Sequence, residues 1–77
     1  MKHRVLDTVV LVHDVPAQGL RAGDLGAVVD AQPPDRLEVE FVTASGRTTA
    51  LVSLKDSDVR TIADTDLVAV RTIPRSA

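Results

Sequence analysis

Leu37-Glu38-Val39-Glu40-Phe41-Val42 alternates apolar and acidic side chains with a period of two. A strand turns successive side chains to opposite faces, so Leu37, Val39 and Phe41 are expected inside and Glu38 and Glu40 in water. Thr43-Ala44-Ser45-Gly46-Arg47 follows, a glycine-bearing loop of hairpin length. Thr48-Thr49-Ala50-Leu51-Val52-Ser53-Leu54 then returns as the paired strand. This hairpin makes the chain β-built, and the rest is read outward from it.

Upstream, Pro33-Pro34-Asp35 is a rigid turn, because proline fixes φ and cannot donate to a ladder. It closes a strand over Gly26-Ala27-Val28-Val29-Asp30-Ala31. Residues 13–24, punctuated by Pro16, Gly19 and Gly23, form a long excursion loop behind Thr8-Val9-Val10-Leu11-Val12, the first strand. Downstream, Lys55-Asp56-Ser57-Asp58 predicts a single helical turn, since short Asp and Ser side chains bond nearby amides. Val59-Arg60-Thr61-Ile62 is the fifth strand, and Leu67-Val68-Ala69-Val70-Arg71-Thr72-Ile73 is read as a sixth strand or a short helix, with strand favoured. Valine, isoleucine and threonine make up 22 of the 77 residues, which supports strands throughout.

Five short strands, a long first loop and a helical turn before strand five describe an all-β protein, a small SH3-like barrel that limits its exposed edges. One domain over residues 1–77 is expected, with the barrel at about 6–62 and the tail at 63–77. Gly19 to Val29 is similar to the glycine-punctuated turn of several SH3-like barrels, including KOW-type domains and the end of the nitrile hydratase β subunit. There Gly23 and Gly26 are expected to permit positive φ or a close backbone approach.

A narrower resemblance covers nearly the whole chain. It rests on Leu6-Asp7-Thr8-Val9-Val10, His13-Asp14-Val15-Pro16, Gly19 to Gly26, Leu37 to Val42 and Leu67 to Arg71, in that order. Together they resemble a bacterial family of small SH3-like proteins, domain of unknown function 4926. The resemblance implies the barrel fold and no assigned activity. It also implies a small protein encoded nearby, which would suit an antitoxin, immunity protein or subunit.

Charge and composition narrow the function. Nine basic side chains against eleven acidic ones leave a net charge of −2, and the arginines are scattered, unlike the basic face of a nucleic-acid binder. Phe41 is the only aromatic residue, too few for base stacking or a proline-peptide groove. There is no cysteine, and the apolar run Val9–Val12 is far short of the roughly 20 residues that span a bilayer. The N-terminal residues lack a signal-peptide core, so a cytoplasmic location is expected.

Catalytic and metal chemistry find little support. His3 and His13 lack the spacing that brings two imidazoles onto one ion, and His13 reads as a solvated loop residue or a partner of Asp14. Asp56, Asp58, Asp64 and Asp66 are better explained by capping and turns than by acid–base work, which needs a partly dry pocket. Ser45, Ser53, Ser57 and Ser76 have no neighbouring histidine. The expectation is no enzyme, no cofactor and no metal.

What remains is a non-enzymatic protein-interaction module, antitoxin- or immunity-like in its most concrete version, that binds a dedicated partner protein. Glu38, Glu40, Arg21 and Asp24 are its candidate contacts, and the tail strand offers an edge for a homodimer. An accessory or chaperone-like subunit of a metalloenzyme is the alternative, followed by a KOW-like nucleic-acid binder.

Overall fold

The computed structural model describes residues 1–73. Five strands form one antiparallel sheet: β1 (Thr8–Leu11), β2 (Leu25–Gln32), β3 (Arg36–Val42), β4 (Thr48–Lys55) and β5 (Val59–Thr61). Their spatial order is β4-β3-β2-β1-β5, so the meander β2-β3-β4 is extended at one side by the first and last strands. A 3-10 turn over Asp56–Asp58 leads directly into β5. This is the all-β arrangement expected for a small SH3-like barrel.

Alternation in β3 builds the core as its sequence demands. Leu37, Val39 and Phe41 are buried, and they face Leu54, Val52 and Ala50 across the β3–β4 ladder. Val28 lies opposite Val39 on the other side. Val9, Leu11, Leu20 and Val59 complete a single cluster. Each fully buried aliphatic side chain contributes about 1.5–3 kcal/mol relative to exposure, which is where the stability of so short a chain resides.

Two glycines are needed where the sequence places them. Gly23 has φ +94°, a conformation that side chains with a Cβ rarely adopt. Gly26, in β2, has a different constraint: a Cβ there would sit 2.6 Å from Val39 Cγ1 and 2.9 Å from Phe41 Cε2. The bare backbone lets β2 lie flat on the core-facing side chains of β3.

The long loop between β1 and β2 is braced rather than slack. It carries a 3-10 turn over Pro16–Gln18 and an isolated bridge between Val15 and Leu20, and it sends Leu20 into the core.

The expected sixth strand is not formed. Residues 67–73 pair with no strand, and the part of the tail beyond Ile73 lies outside the described residues. The reason lies in one turn and one long-range ion pair. After β5 the chain turns at Ala63–Asp66, where Ala63 N donates to Asp66 Oδ2 at 2.7 Å and Asp66 N to the Ala63 carbonyl at 3.0 Å. Further on, the Arg71 guanidinium is drawn to Asp24 in the long loop, and strand-type sequence is led away from the β5 edge.

Candidate functional site

The solvent face of β3 presents Glu38 and Glu40. Each is partly fixed by its neighbour on β4: Ser53 Oγ donates to Glu38, and Thr48 Oγ1 donates to Glu40 Oε2 at 2.6 Å. Leu51, opposite Glu40 in the ladder, is 61% exposed, and Val29 and Val42 are also exposed. The outer sheet face is therefore an acidic strip bordered by apolar side chains.

Arg21 and Asp24 lie on the long loop, and no hydrogen bond or ion pair connects them to Glu38 or Glu40 among the described residues. Asp24 is a hub. Its Oδ2 accepts from Arg21 N at 2.9 Å, and Arg71 grips both of its oxygens, with Nε on Oδ1 at 2.8 Å and Nη2 on Oδ2 at 2.5 Å. The Arg71 guanidinium holds the Asp24 carboxyl below its ordinary range, against the opposing effect of burial. Arg71 Nη2 also donates to the Gly19 carbonyl at 3.0 Å.

A second fork sits near the start of the tail. Arg60 donates from Nη1 to Asp66 Oδ2 and from Nη2 to Asp66 Oδ1, both at 2.8 Å. Arg60 and the Ala63 amide together bring Asp66 down to about 2. Between the forks, residues 67–70 form one wall of a groove of about 750 Å³ whose other walls include Leu20, Leu25, Phe41 and Ile62. Leu67 and Val70 are each 97% exposed. That exposure of aliphatic side chains is the most unusual surface feature of the described residues.

Two further fastenings join distant parts of the chain. His13 lies between two acceptors: Nε2 is 2.7 Å from Asp58 Oδ1 and Nδ1 is 2.9 Å from the Asp14 carbonyl. The Asp58 hydrogen bond, then the Asp14 carbonyl, raise the His13 pKa above its ordinary value. For Asp58, burial pushes upward, but bonds from His13 and the Lys55 amide outweigh it and the pKa is lowered. At the N-terminus, the amides of Lys2 and His3 donate to the two Asp56 oxygens at 3.1 and 3.2 Å. The His3 ring is buried, and neither ring nitrogen has a hydrogen-bond partner among the described residues.

Asp58 and Asp66 hold the nearby Lys55 and Ala63 amides, the capping and turn role anticipated for them, whereas Asp56 holds the amides of Lys2 and His3, more than 50 residues away. His13 pairs with Asp58, 45 residues away, in addition to its contact with the Asp14 carbonyl. Sequence reading missed Arg60 and Arg71 as clasps. For Arg60, the turn ending in Asp66 six residues later was a usable signal. For Arg71, a partner 47 residues distant left none. No group of three metal-ligating side chains occurs among the described residues, and none of their helices is long and apolar enough to cross a membrane.

Fold and surface together define a small all-β domain, one five-stranded antiparallel sheet with an apolar groove beside residues 67–70 and a partly acidic outer face. Residues 5–61, from just before β1 to the end of β5, match the domain of unknown function DUF4926. The chain belongs to that family. No curated protein and no solved structure matches it.

Proposed function

We propose that this chain is a non-enzymatic interaction module that binds a dedicated partner protein, in the manner of an antitoxin or immunity protein. The observation that carries the reading is the outer sheet face, where Glu38 and Glu40 stand beside exposed Leu51, Val29 and Val42. Such a face combines apolar area for affinity with charge for steering a basic partner. The Ser53 and Thr48 hydroxyls hold the two carboxylates in place, so less side-chain freedom is lost on docking. Asp24 supports a different role, since its oxygens are engaged within the chain. Arg21 keeps its place among the candidate contacts.

The test is affinity capture of the tagged chain from its host's lysate, run beside the double variant Glu38→Lys/Glu40→Lys. One stoichiometric partner, lost by the variant, is the expected result. Recovery of the chain alone, or a partner retained undiminished by the variant, overturns the reading. A captured metalloenzyme that loses activity without this chain would point to an accessory subunit.

A further inference from the structure

We propose that residues 62–73 act as a latched strap: the Arg60–Asp66 and Arg71–Asp24 forks hold it along the apolar groove, and release of the Arg71 fork opens that groove. Ordering a chain segment costs backbone entropy, which sheets offset with ladder hydrogen bonds and buried side chains. The strap has neither over its central span. Leu67, Val68, Ala69 and Val70 are all exposed, and their backbone groups make no hydrogen bonds to the protein among the described residues. Ile73 alone among the apolar residues of 67–73 is half-buried. What holds the central span is therefore the pair of forks at its ends, joined at Arg71 by a bond to the Gly19 carbonyl, and the ionic part of that hold weakens with salt.

The two sides of the far fork differ in rigidity. Asp24 is the fixed side: its amide donates to the Arg21 carbonyl, and its carbonyl accepts from Leu11 N in β1, both at 3.0 Å. Arg71 is the mobile side, reached only through the unsupported span. Both ion-pair partners are sheltered, with 28% of the Arg71 side chain and 18% of the Asp24 side chain exposed, so this fork is the tighter of the two. When it parts, the strap remains tied at Asp66, and the groove lined by Leu20, Leu25 and Phe41 loses the wall that the strap supplies.

Trypsin reports this opening directly, because it must take the arginine side chain into its own acidic specificity pocket. Arg71 is cut only while its fork is apart. Arg47, in the β3–β4 hairpin with no partner for its guanidinium among the described residues, is the internal reference. Under limiting protease the initial rates of cleavage after Arg71 and Arg47 are compared by mass spectrometry on the full chain. Asp24→Asn keeps an acceptor for the Arg21 amide but removes the charge that holds Arg71. It should raise the Arg71/Arg47 ratio about tenfold.

In the unmodified chain, 1 M sodium chloride should raise the same ratio, an arm that needs no variant to fold. Salt should have little further effect on Asp24→Asn. The proposal is overturned if neither salt nor the variant changes the ratio. It is equally overturned if Arg71 in the unmodified chain at low salt is cut as fast as Arg47. No partner protein enters this experiment, so its outcome is independent of the interaction reading.

Discussion

The β2–β3–β4 meander and the 62–73 strap are both rich in valine and leucine, yet the first holds itself together and the second is held. In the meander every second side chain meets a neighbour across a ladder, and Leu37, Val39 and Val28 are wholly buried. In the strap the same residue types stand in water between two ion pairs. Strand-type composition is therefore not enough to make a strand. A free edge of adequate length and a chain direction that reaches it are also required, and β5 offers only three residues.

The difference can be broken most sharply at Leu37. Leu37→Ala should cost about 2–5 kcal/mol, read as a shift of the urea midpoint at unchanged slope, because a closed core cannot collapse onto the cavity. Gly26→Ala should cost about 1–3 kcal/mol through overpacking against Val39 and Phe41. A cost below a few tenths would mean that β2 shifts freely and that the close approach is not needed.

A pH experiment sharpens the contrast between apolar and polar fastening. His13 has a folded pKa above its ordinary 6.5, so its contribution is fully present below pH 6.5 and is lost as pH rises through the folded value. Asp58, lowered from 3.8, contributes above that value and loses its effect as pH falls. The pair should therefore fasten best between these limits. Thermal midpoints from pH 5 to 9 should fall on the alkaline side in the native chain and fall less in His13→Ala; parallel curves would rule the pair out. The smallest effect belongs to Leu67→Ala, expected within about 0.5 kcal/mol of the native chain because nothing packs on that side chain.

Much of the barrel was legible because its signals are local. Period-two alternation at Leu37–Val42, the Gly46 hairpin, the Pro33-Pro34-Asp35 turn and the Asp-rich helical turn each lie within a few residues, and each marks its element to within a residue or so of the observed bounds. The tail failed for the opposite reason. Leu67–Ile73 has the composition of a strand, but its fate is decided by Arg71 reaching Asp24 across the fold. His13 was read correctly as an exposed loop residue in contact with Asp14, but its carboxylate partner, far along the chain on Asp58, was out of reach. Among the candidate contacts, the alternation placed Glu38 and Glu40 on the wet face of β3, whereas nothing near Asp24 in sequence announced that its oxygens would be taken.

The position of β1 has a consequence for how the molecule comes into being on the ribosome. β1 lies between β2, which follows it in the chain, and β5, which is made only after the whole meander, and the Lys2 and His3 amides find their acceptor only at Asp56. A nascent chain ending before Asp56 has the meander's local pairings available but leaves one side of β1 bare and its leading residues untethered. Completion of the sheet therefore waits on the Asp56–Asp58 turn and β5, and closure across more than 50 residues makes it slow relative to the hairpins. A chain truncated before Val59 should be an unfinished and adhesive intermediate, presenting a bare strand edge to whatever waits at the exit.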